Sequence, residues 1–382
     1  MTASQHIAIV GAGPAGLTAA LVAHRLGLEV TLFEQAPNFE RIGGGILLHS
    51  NGQRVLEALG LLESFRPQMR FSSRLIAEKA GGGALNVIDY AALPIPHACA
   101  AIVLRYHLQE HLLQATMAAQ IPVHFDHRCT GLTRSDGKVR VQFANGVTEM
   151  FDVVIACDGV HSRVRTEAGV PFKKVAIGEG WIRGVADYPI AETAPREMWG
   201  ADGRRFGIAP LQEGKSYFYA RVPLGRWPEI LQSGLDDWIE SWREYGPQVM
   251  QLLRSVDEWG RVNYSELHEI RMPRWYEPPL FFVGDAAHAM TPNLGQGANS
   301  SMVDALVLMQ LLAQGQQRGT PLAKVGEQYD VIRRPFVTRI QSTARQMGQV
   351  AGLSNPVARR VTEGVMGLVA KIGPVQQHTM YL

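Results

Sequence analysis

The chain has little of what most specialised folds require. Its 382 residues include three cysteines, Cys99, Cys129 and Cys157, which are widely spaced and form no Cys-x-x-Cys pair. An odd, scattered set of this kind argues against a disulfide scaffold and a thiolate metal centre, and suits free thiols in a reducing, cytoplasmic compartment. Charge is also sparse and balanced. Charged residues make up 19%, with 37 Lys+Arg against 35 Asp+Glu, and no basic run marks a nucleic-acid footprint. The stretch Ile7–Ala23 carries no charge, but no basic segment precedes it and Gly11, Gly13 and Gly16 break it, so neither a signal peptide nor a membrane helix is read there. Internal repeats are absent. What is abundant is apolar residue, 46%, and glycine, 39 residues in all, about a tenth of the chain against a usual ~7%. A chain of this length and composition is expected to bury a large core, arranged in two lobes.

Hydrophobic periodicity orders the elements. Ile7–Val10 reads as a short strand, Pro14 to Leu26 as a helix and Glu29–Glu34 as a second strand. Strand, glycine turn, helix and strand make a βαβ unit whose right-handed crossover sets the strands parallel. A helix is expected from His107 to Ala119. Val139–Phe143 and Phe151–Ala156 flank Asn145-Gly146 and read as a hairpin or meander. From about 171 to 275 the alternating segments Trp181–Val185, Phe206–Pro210 and Ser216–Val222 predict an antiparallel sheet with one wet face, covered by a long helix over Gln232–Val256. Leu280–Val283 returns as a strand, Gly297–Gln314 as an apolar helix, and the C-terminal third as helical. The fold class is α/β: a Rossmann-like lobe with a parallel sheet, a second lobe with an antiparallel sheet, and C-terminal helices.

Two glycine-rich constellations carry chemistry. In Gly11-Ala12-Gly13-Pro14-Ala15-Gly16, Gly11 permits a tight turn, Gly13 lets a pyrophosphate approach the backbone, and Gly16 lets the helix pack closely. The helix N-terminus supplies free N–H groups and positive potential, and Glu34 at the end of the next strand is placed to accept from a ribose. The second runs Val283-Gly284-Asp285-Ala286-Ala287-His288, Pro292, Gly295-Gln296-Gly297-Ala298-Asn299, and opens a helix containing Asp304. A carboxylate at a strand end accepts hydroxyls from a sugar-alcohol chain, and the N–H groups of Gly297 and Ala298 at a helix start hold an anion. A reduced flavin is such an anion.

These motifs, with Asp158-Gly159-x-x-Ser162-Arg163-x-Arg165 between them, resemble those of the single-component FAD-dependent aromatic hydroxylases, the group A flavoprotein monooxygenases related to p-hydroxybenzoate and salicylate hydroxylases. The third motif matches at every fixed position. In the second the basic residues stand at Arg163 and Arg165, close to the family pattern rather than identical. The resemblance implies a discontinuous FAD-binding domain over 1–70, 100–170 and 276–330, a substrate-binding domain over 71–99 and 171–275, and C-terminal helices over 331–382. It implies that Gly11, Gly13, Ala15 and Gly16 hold the FAD pyrophosphate, Glu34 with neighbouring Gln35 the adenosine ribose, and Asp285 the ribityl chain. Arg41, ahead of Gly43-Gly44-Gly45-Ile46, and Arg105 stand where relatives place arginines against the cofactor, and the main chain at Cys129 would meet adenine. Asp158 would support both FAD and a transient nicotinamide. Pro292, with Gly295, Gln296, Gly297 and Ala298, would border the flavin. The implied reaction uses NADH or NADPH to reduce FAD, adds O₂ to give a C4a-hydroperoxyflavin, and hydroxylates an aromatic or polycyclic small molecule.

On the substrate side the candidates are His49, Arg183 and Tyr217. A nearby base or cation that favours a phenolate makes a ring more nucleophilic, and His49 follows the Gly43–Ile46 turn. Arg183, Arg205, Tyr217 and Tyr219 alternate on strands, so Tyr217 and Tyr219 share a face; Trp181, Trp199 and Phe206 are candidates for an apolar lining, and His288 for a support of the flavin loop. Epoxidation on the same scaffold and a redox-silent flavoprotein that binds a pathway intermediate stay open as alternatives; a halogenase WxWxIP stretch is absent. Val357, Val361, Val365, Leu368 and Ile372 recur at helical spacing, which reads as a helix packed on the FAD lobe or a second subunit, with a membrane-surface contact as the other reading. Homodimer and monomer both stay open.

Overall fold

The computed structural model describes residues 5–41, 44–353 and 355. The C-terminal segment read as an amphipathic helix lies outside these residues, and so does Gly43. The architecture is set at the first turn. After the strand His6–Val10, Gly11 adopts φ +106°, and an ideal Cβ there would stand 2.5 Å from the Cys157 carbonyl oxygen, so no other residue fits. Gly16 is more constrained still, with a Cβ position 1.9 Å from the Gly11 oxygen. The helix Pro14–Arg25 therefore lies directly on the turn that starts it, with proline at its first position where no N–H is needed.

Six strands form the first sheet, in the order Tyr276–Glu277, Leu280–Phe282, Val153–Ala156, His6–Val10, Glu29–Phe33 and Val123–His124. All pairs are parallel except the Tyr276 edge. Helices and the strands around Asn145-Gly146 together cover this sheet, the Phe143 and Phe151 rings meeting Phe33, which is why Val153–Ala156 is apolar and buried at every position rather than alternating. The predicted strand Phe151–Ala156 is in fact two strands. Thr148–Phe151 pairs with Lys138–Phe143 around Asn145-Gly146, while Val153–Ala156 joins the parallel sheet. Asp152 marks the change of sheet: its carboxylate accepts the His6 N–H at 2.9 Å and pairs with Lys138 at 3.0 Å.

The second sheet has seven strands, ordered Val262–Arg271, Lys173–Ala186, Ser216–Pro223, Arg205–Pro210, Arg196–Trp199, Arg74–Lys79 and Ala84–Asp89. The last two form a hairpin through Gly81, Gly82 and Gly83, all at positive φ, so part of the irregular stretch 70–100 completes this sheet. On its outer face Phe206, Phe218, Trp238, Trp242 and Leu253 form a separate core. The single helix expected over Gln232–Val256 is broken into Trp227–Ser233, Leu235–Glu240 and Pro247–Arg254. Gly234 (φ +93°) and Gly246 (φ +98°) cause the breaks, since both stand in extended backbone open only to glycine, and Pro247 restarts the chain as a helix.

Two long helices, Gly297–Arg318 and Leu322–Ala351, close the described chain. The second runs unbroken through residue 331, so the boundary expected there falls inside one helix. No helix among the described residues is long and apolar enough to cross a membrane. Because the Gly16 Cβ position collides with backbone rather than a flexible side chain, Gly16→Ala is expected to lower stability by roughly the 1–3 kcal/mol typical of overpacking, or more. Thermal unfolding checks this, and an unchanged midpoint would show that the helix can lift off the turn freely.

Candidate active site

A cavity of about 520 Å³ opens between the two sheets, and a smaller one of about 160 Å³ lies beside the first turn. Gly13, Pro14 and Ala15 line the larger cavity; Ala12, Glu34 and Gln109 line the smaller, and Arg105 lines both. The Gly13 and Gly297 Cβ positions meet nothing within 4 Å. Both backbones therefore face open space and leave it free for a ligand. Gly11 and Gly16 do not line the cavity; they make the close packing that aims Gly13 into it. The Glu34 carboxylate accepts the Ala12 N–H at 2.7 Å and the Ala36 N–H at 2.9 Å, which fixes it at the end of its strand.

Other positions fall differently. Gln35 is exposed and lines neither cavity. Arg41 is also exposed and pairs with Glu110 at 3.0 Å, a contact that raises its pKa. Cys129 is 3% exposed, and burial pushes its thiol up to about 12, so it is an inert core group. Asp158 caps the short helix Arg163–Glu167, accepting from the Arg163 and Val164 N–H groups at 2.7 and 3.0 Å. Burial raises its pKa against those bonds, and its Oδ1 has no partner among the described residues. The adjoining Gly159 reaches the cavity wall. Arg165 is buried and donates to the carbonyls of Ala286 (2.6 Å) and Val160 (2.9 Å), tying this helix to the Asp285 segment.

Asp285 is exposed to the larger cavity at the start of the short helix Asp285–His288, and Pro292, Gly295, Gly297 and Ala298 line the same wall. The N-terminus of Gly297–Arg318 thus opens into the cavity, where its free N–H groups favour an anion. Gln296 turns away; its side-chain oxygen accepts from Asn51 at 3.0 Å. Behind the loop, His288 meets Asp304 at 2.5 Å, and Arg333 donates to the same carboxylate at 2.7 Å. Burial pushes the Asp304 pKa up, but Arg333 and the His288 ring outweigh it and hold it low.

His49, expected near the substrate, is fully buried and lines neither cavity. Its Nε2 stands 3.1 Å from the Leu294 carbonyl, which can only accept, and its Nδ1 stands 2.7 Å from the Tyr90 hydroxyl. These partners assign the proton to Nε2. Burial, only partly opposed by the Leu294 carbonyl, pushes the ring down to about 4. The Gly295 Cβ position lies 2.9 Å from that Nε2, so the turn at φ +62° rests against the imidazole.

The remaining wall is the inner face of the seven-stranded sheet. Arg183 is opposite Tyr219, Tyr219 opposite Gly207, and Gly207 opposite Glu197, so these positions share one face. Trp181, Trp199, Arg205 and Tyr217 line the cavity with Arg183, Glu197 and Tyr219. Phe206 falls on the opposite face, against Phe218 and Trp242, because its parity is one off from Arg205. The Tyr217 ring packs on backbone: Cβ atoms at Gly44 and Gly45 would come within 2.5 and 2.6 Å of it. Burial raises the Tyr217 pKa, with Arg183 pulling the other way. Arg183 itself donates to the Ser265 hydroxyl at 2.7 Å. Glu197 and Asn293 were not singled out in the sequence. Asn293 lies inside the Pro292–Gly295 motif, but Glu197 sits in a short strand whose pattern says only that it faces inward.

Comparison with known proteins agrees with this geometry. A family model described as "FAD binding domain" matches residues 4–344. The chain is 29% identical to 3-amino-4-hydroxybenzoate 2-monooxygenase from Streptomyces cremeus, over 90% of this chain and 86% of that one. It is 26% identical to salicylate hydroxylase from Pseudomonas putida, over 92% and 87%. Among solved structures it resembles Klebsiella pneumoniae HpxO complexed with FAD and uric acid, with TM-score 0.84 and 23% identity over 100% of this chain and 96% of that one.

Two outcomes follow from the geometry. Asp285→Ala removes a charged acceptor from the cavity, a loss of ~1.5–3 kcal/mol or about 10- to 150-fold in FAD affinity; titration of the apoprotein with FAD measures it, and unaltered affinity would remove Asp285 from the site. Folded His49 resists the proton that the unfolded chain takes up below its ordinary 6.5. Stability should therefore fall by about 3 kcal/mol as pH drops from that value to about 4. His49→Gln should lose this part of the acid sensitivity in denaturant titrations across that range, and an identical pH profile would refute the assignment.

Proposed function

This chain belongs to the FAD binding domain family of flavin-dependent aromatic hydroxylases, and from that premise we propose that its substrate is a small aromatic compound bearing one acidic group. It is an FAD-dependent monooxygenase, and the cavity fits that cofactor. Gly13 and Gly297 leave backbone open where side chains would otherwise intrude, Arg105 spans the two cavities, and Asp285 points into the larger one. These residues would hold FAD, with Glu34 and Ala12 at the smaller cavity. The chemistry supplied by bound FAD is activation of O₂ with electrons from NADH or NADPH, and transfer of one oxygen atom to an aromatic ring.

The chain's own residues do the rest. Leu47, Ile102, Ile208 and Pro292 give the cavity an apolar lining that excludes water from the reacting atoms. The N–H groups at Gly297 and Ala298 stabilise negative charge that develops opposite them. His49, with both ring nitrogens engaged outside the cavity, supports the Leu294–Gly295 turn rather than handling a substrate proton. Asp158 holds Gly159 and the Arg163 helix in place, and through them the approach used by the nicotinamide. A reducing compartment suits both the nicotinamide supply and the free thiols, so we place the enzyme in the cytoplasm.

The observation that carries the substrate reading is Arg183. Among the described residues, the cavity-lining Arg196 and Arg205 are paired with carboxylates, whereas the polar partners of Arg183 are the neutral Ser265 and Tyr217. A half-buried guanidinium of this kind favours an anion. The Streptomyces and Pseudomonas relatives are named for hydroxybenzoates, which are aromatic acids. In assays of NADH and NADPH oxidation, hydroxylated aromatic acids should stimulate turnover and gain one oxygen atom by mass spectrometry. Arg183→Ala should raise KM for the acid by about 10-fold or more, in line with a charge-assisted bond of ~1.5–3 kcal/mol, and leave a neutral phenol little changed. Preference for neutral phenols in the unaltered enzyme would overturn the reading.

A further inference from the structure

The inner wall of the cavity contains a second arginine whose charge is already cancelled. Glu197 Oε1 accepts from Arg205 Nε at 2.8 Å and from Trp199 Nε1 at 2.6 Å, and Arg205 Nη2 lies 2.7 Å from the same oxygen. Glu197 Oε2 accepts from the Tyr219 hydroxyl at 2.7 Å. Tyr219 reaches it only because residue 207 is glycine: a Cβ there would fall 1.9 Å from Tyr219 Cζ, so the ring lies across the bare backbone. Burial and the neighbouring carboxylate hold the Tyr219 phenol protonated, so it serves as a donor. Arg205 is 1% exposed, stacks over Trp181 at 4.9 Å, and donates through Nη1 to Asn293 Oδ1 at 2.7 Å. Asn293 in turn donates to Thr291 and to the Ala344 carbonyl. The arrangement bridges the sheet to the loop of Pro292, and every charge in it is matched.

We propose that Glu197 determines substrate specificity by cancelling the charge of Arg205, so that the inner wall takes a neutral hydrogen-bonding edge and the cavity accepts a single acidic group, at Arg183. The proposal rests on the aromatic-acid reading above. A second carboxylate brought to this wall would meet the Glu197 carboxylate in a low-dielectric cavity, with the adjacent guanidinium already committed to it. A hydroxyl or ring nitrogen carries no such penalty. Replacing Glu197 by glutamine keeps shape and acceptor oxygen but frees one positive charge.

The test uses FAD-loaded enzyme and three probes: phenol, para-hydroxybenzoate and 5-hydroxyisophthalate, which bear none, one and two carboxylates. Binding is read from the perturbation of the flavin absorption spectrum, without turnover. Wild type should bind the monocarboxylate at least about 100-fold more tightly than the dicarboxylate. Glu197→Gln should shrink that ratio at least about 10-fold, and adding Arg205→Gln to it should restore the wild-type ranking. A wild type that binds the dicarboxylate as tightly as the monocarboxylate overturns the proposal. So does a ratio unmoved by Glu197→Gln. Should Glu197→Gln not retain FAD, the wild-type ratio alone decides. If wild type instead binds phenol better than either acid, the aromatic-acid reading fails by itself. Glu197 is then judged by whether Glu197→Gln newly admits carboxylates.

Discussion

The structure depends on one buried ionic cluster, His288–Asp304–Arg333. Asp304 is fully buried, so its charge is tolerable only because the Arg333 guanidinium and the His288 ring address it at once. The cluster joins three segments that are far apart in sequence: the short helix after Asp285, the long helix that begins at Gly297, and the terminal helix carrying Arg333. Fixing these together aims a carboxylate and a helix N-terminus into the same cavity. Trp275, whose ring lies 4.6 Å from that of His288, packs the cluster against the core. Removing Arg333 would leave a buried carboxylate undercompensated, a much larger penalty than the loss of an exposed ion pair.

Close backbone approach is the second constraint. Gly11 and Gly16 let the opening helix sit on its own turn, Gly44 and Gly45 let the Tyr217 ring pack on their backbone, and Gly207 lets Tyr219 cross to Glu197. Each of these glycines brings an aromatic ring or a main chain to a place where one methyl group would keep it out. Part of the glycine surplus in the composition is thus spent around the cavity, the rest in turns at positive φ. Gly13 and Gly297 differ in kind: nothing in the protein presses on them, and their backbones face the open cavity.

Charge is distributed along the cavity with the same economy. One wall presents Arg105, Asp285 and a helix end; the wall formed by the seven-stranded sheet presents Arg183 beside two tyrosines and a neutralised Glu197–Arg205 pair. Tyr217 and Tyr219, two residues apart on one strand, have different tasks because one packs on glycine backbone beside a cation and the other donates to a carboxylate. Equivalent parity does not imply equivalent chemistry.

The sequence by itself determined the βαβ opening, the flavin-type second glycine motif, the antiparallel second lobe and the one face shared by Tyr217 and Tyr219. These follow from local rules: backbone conformations open only to glycine, capping at helix starts, and a side-chain period of two in strands. Tertiary structure decided what such rules cannot reach. His49 looked poised for the cavity, yet its ring is held between Tyr90 and Leu294, the latter 245 positions away. Arg41 found Glu110 instead of the cavity, and Asp152 split an apparently continuous strand between two sheets. Glu197 gained its meaning only when Arg205, Trp199 and Tyr219 converged on it. Whether a polar side chain touches ligand or protein depends on which partners the packed chain brings within hydrogen-bonding distance, and no local pattern of residues encodes that distance.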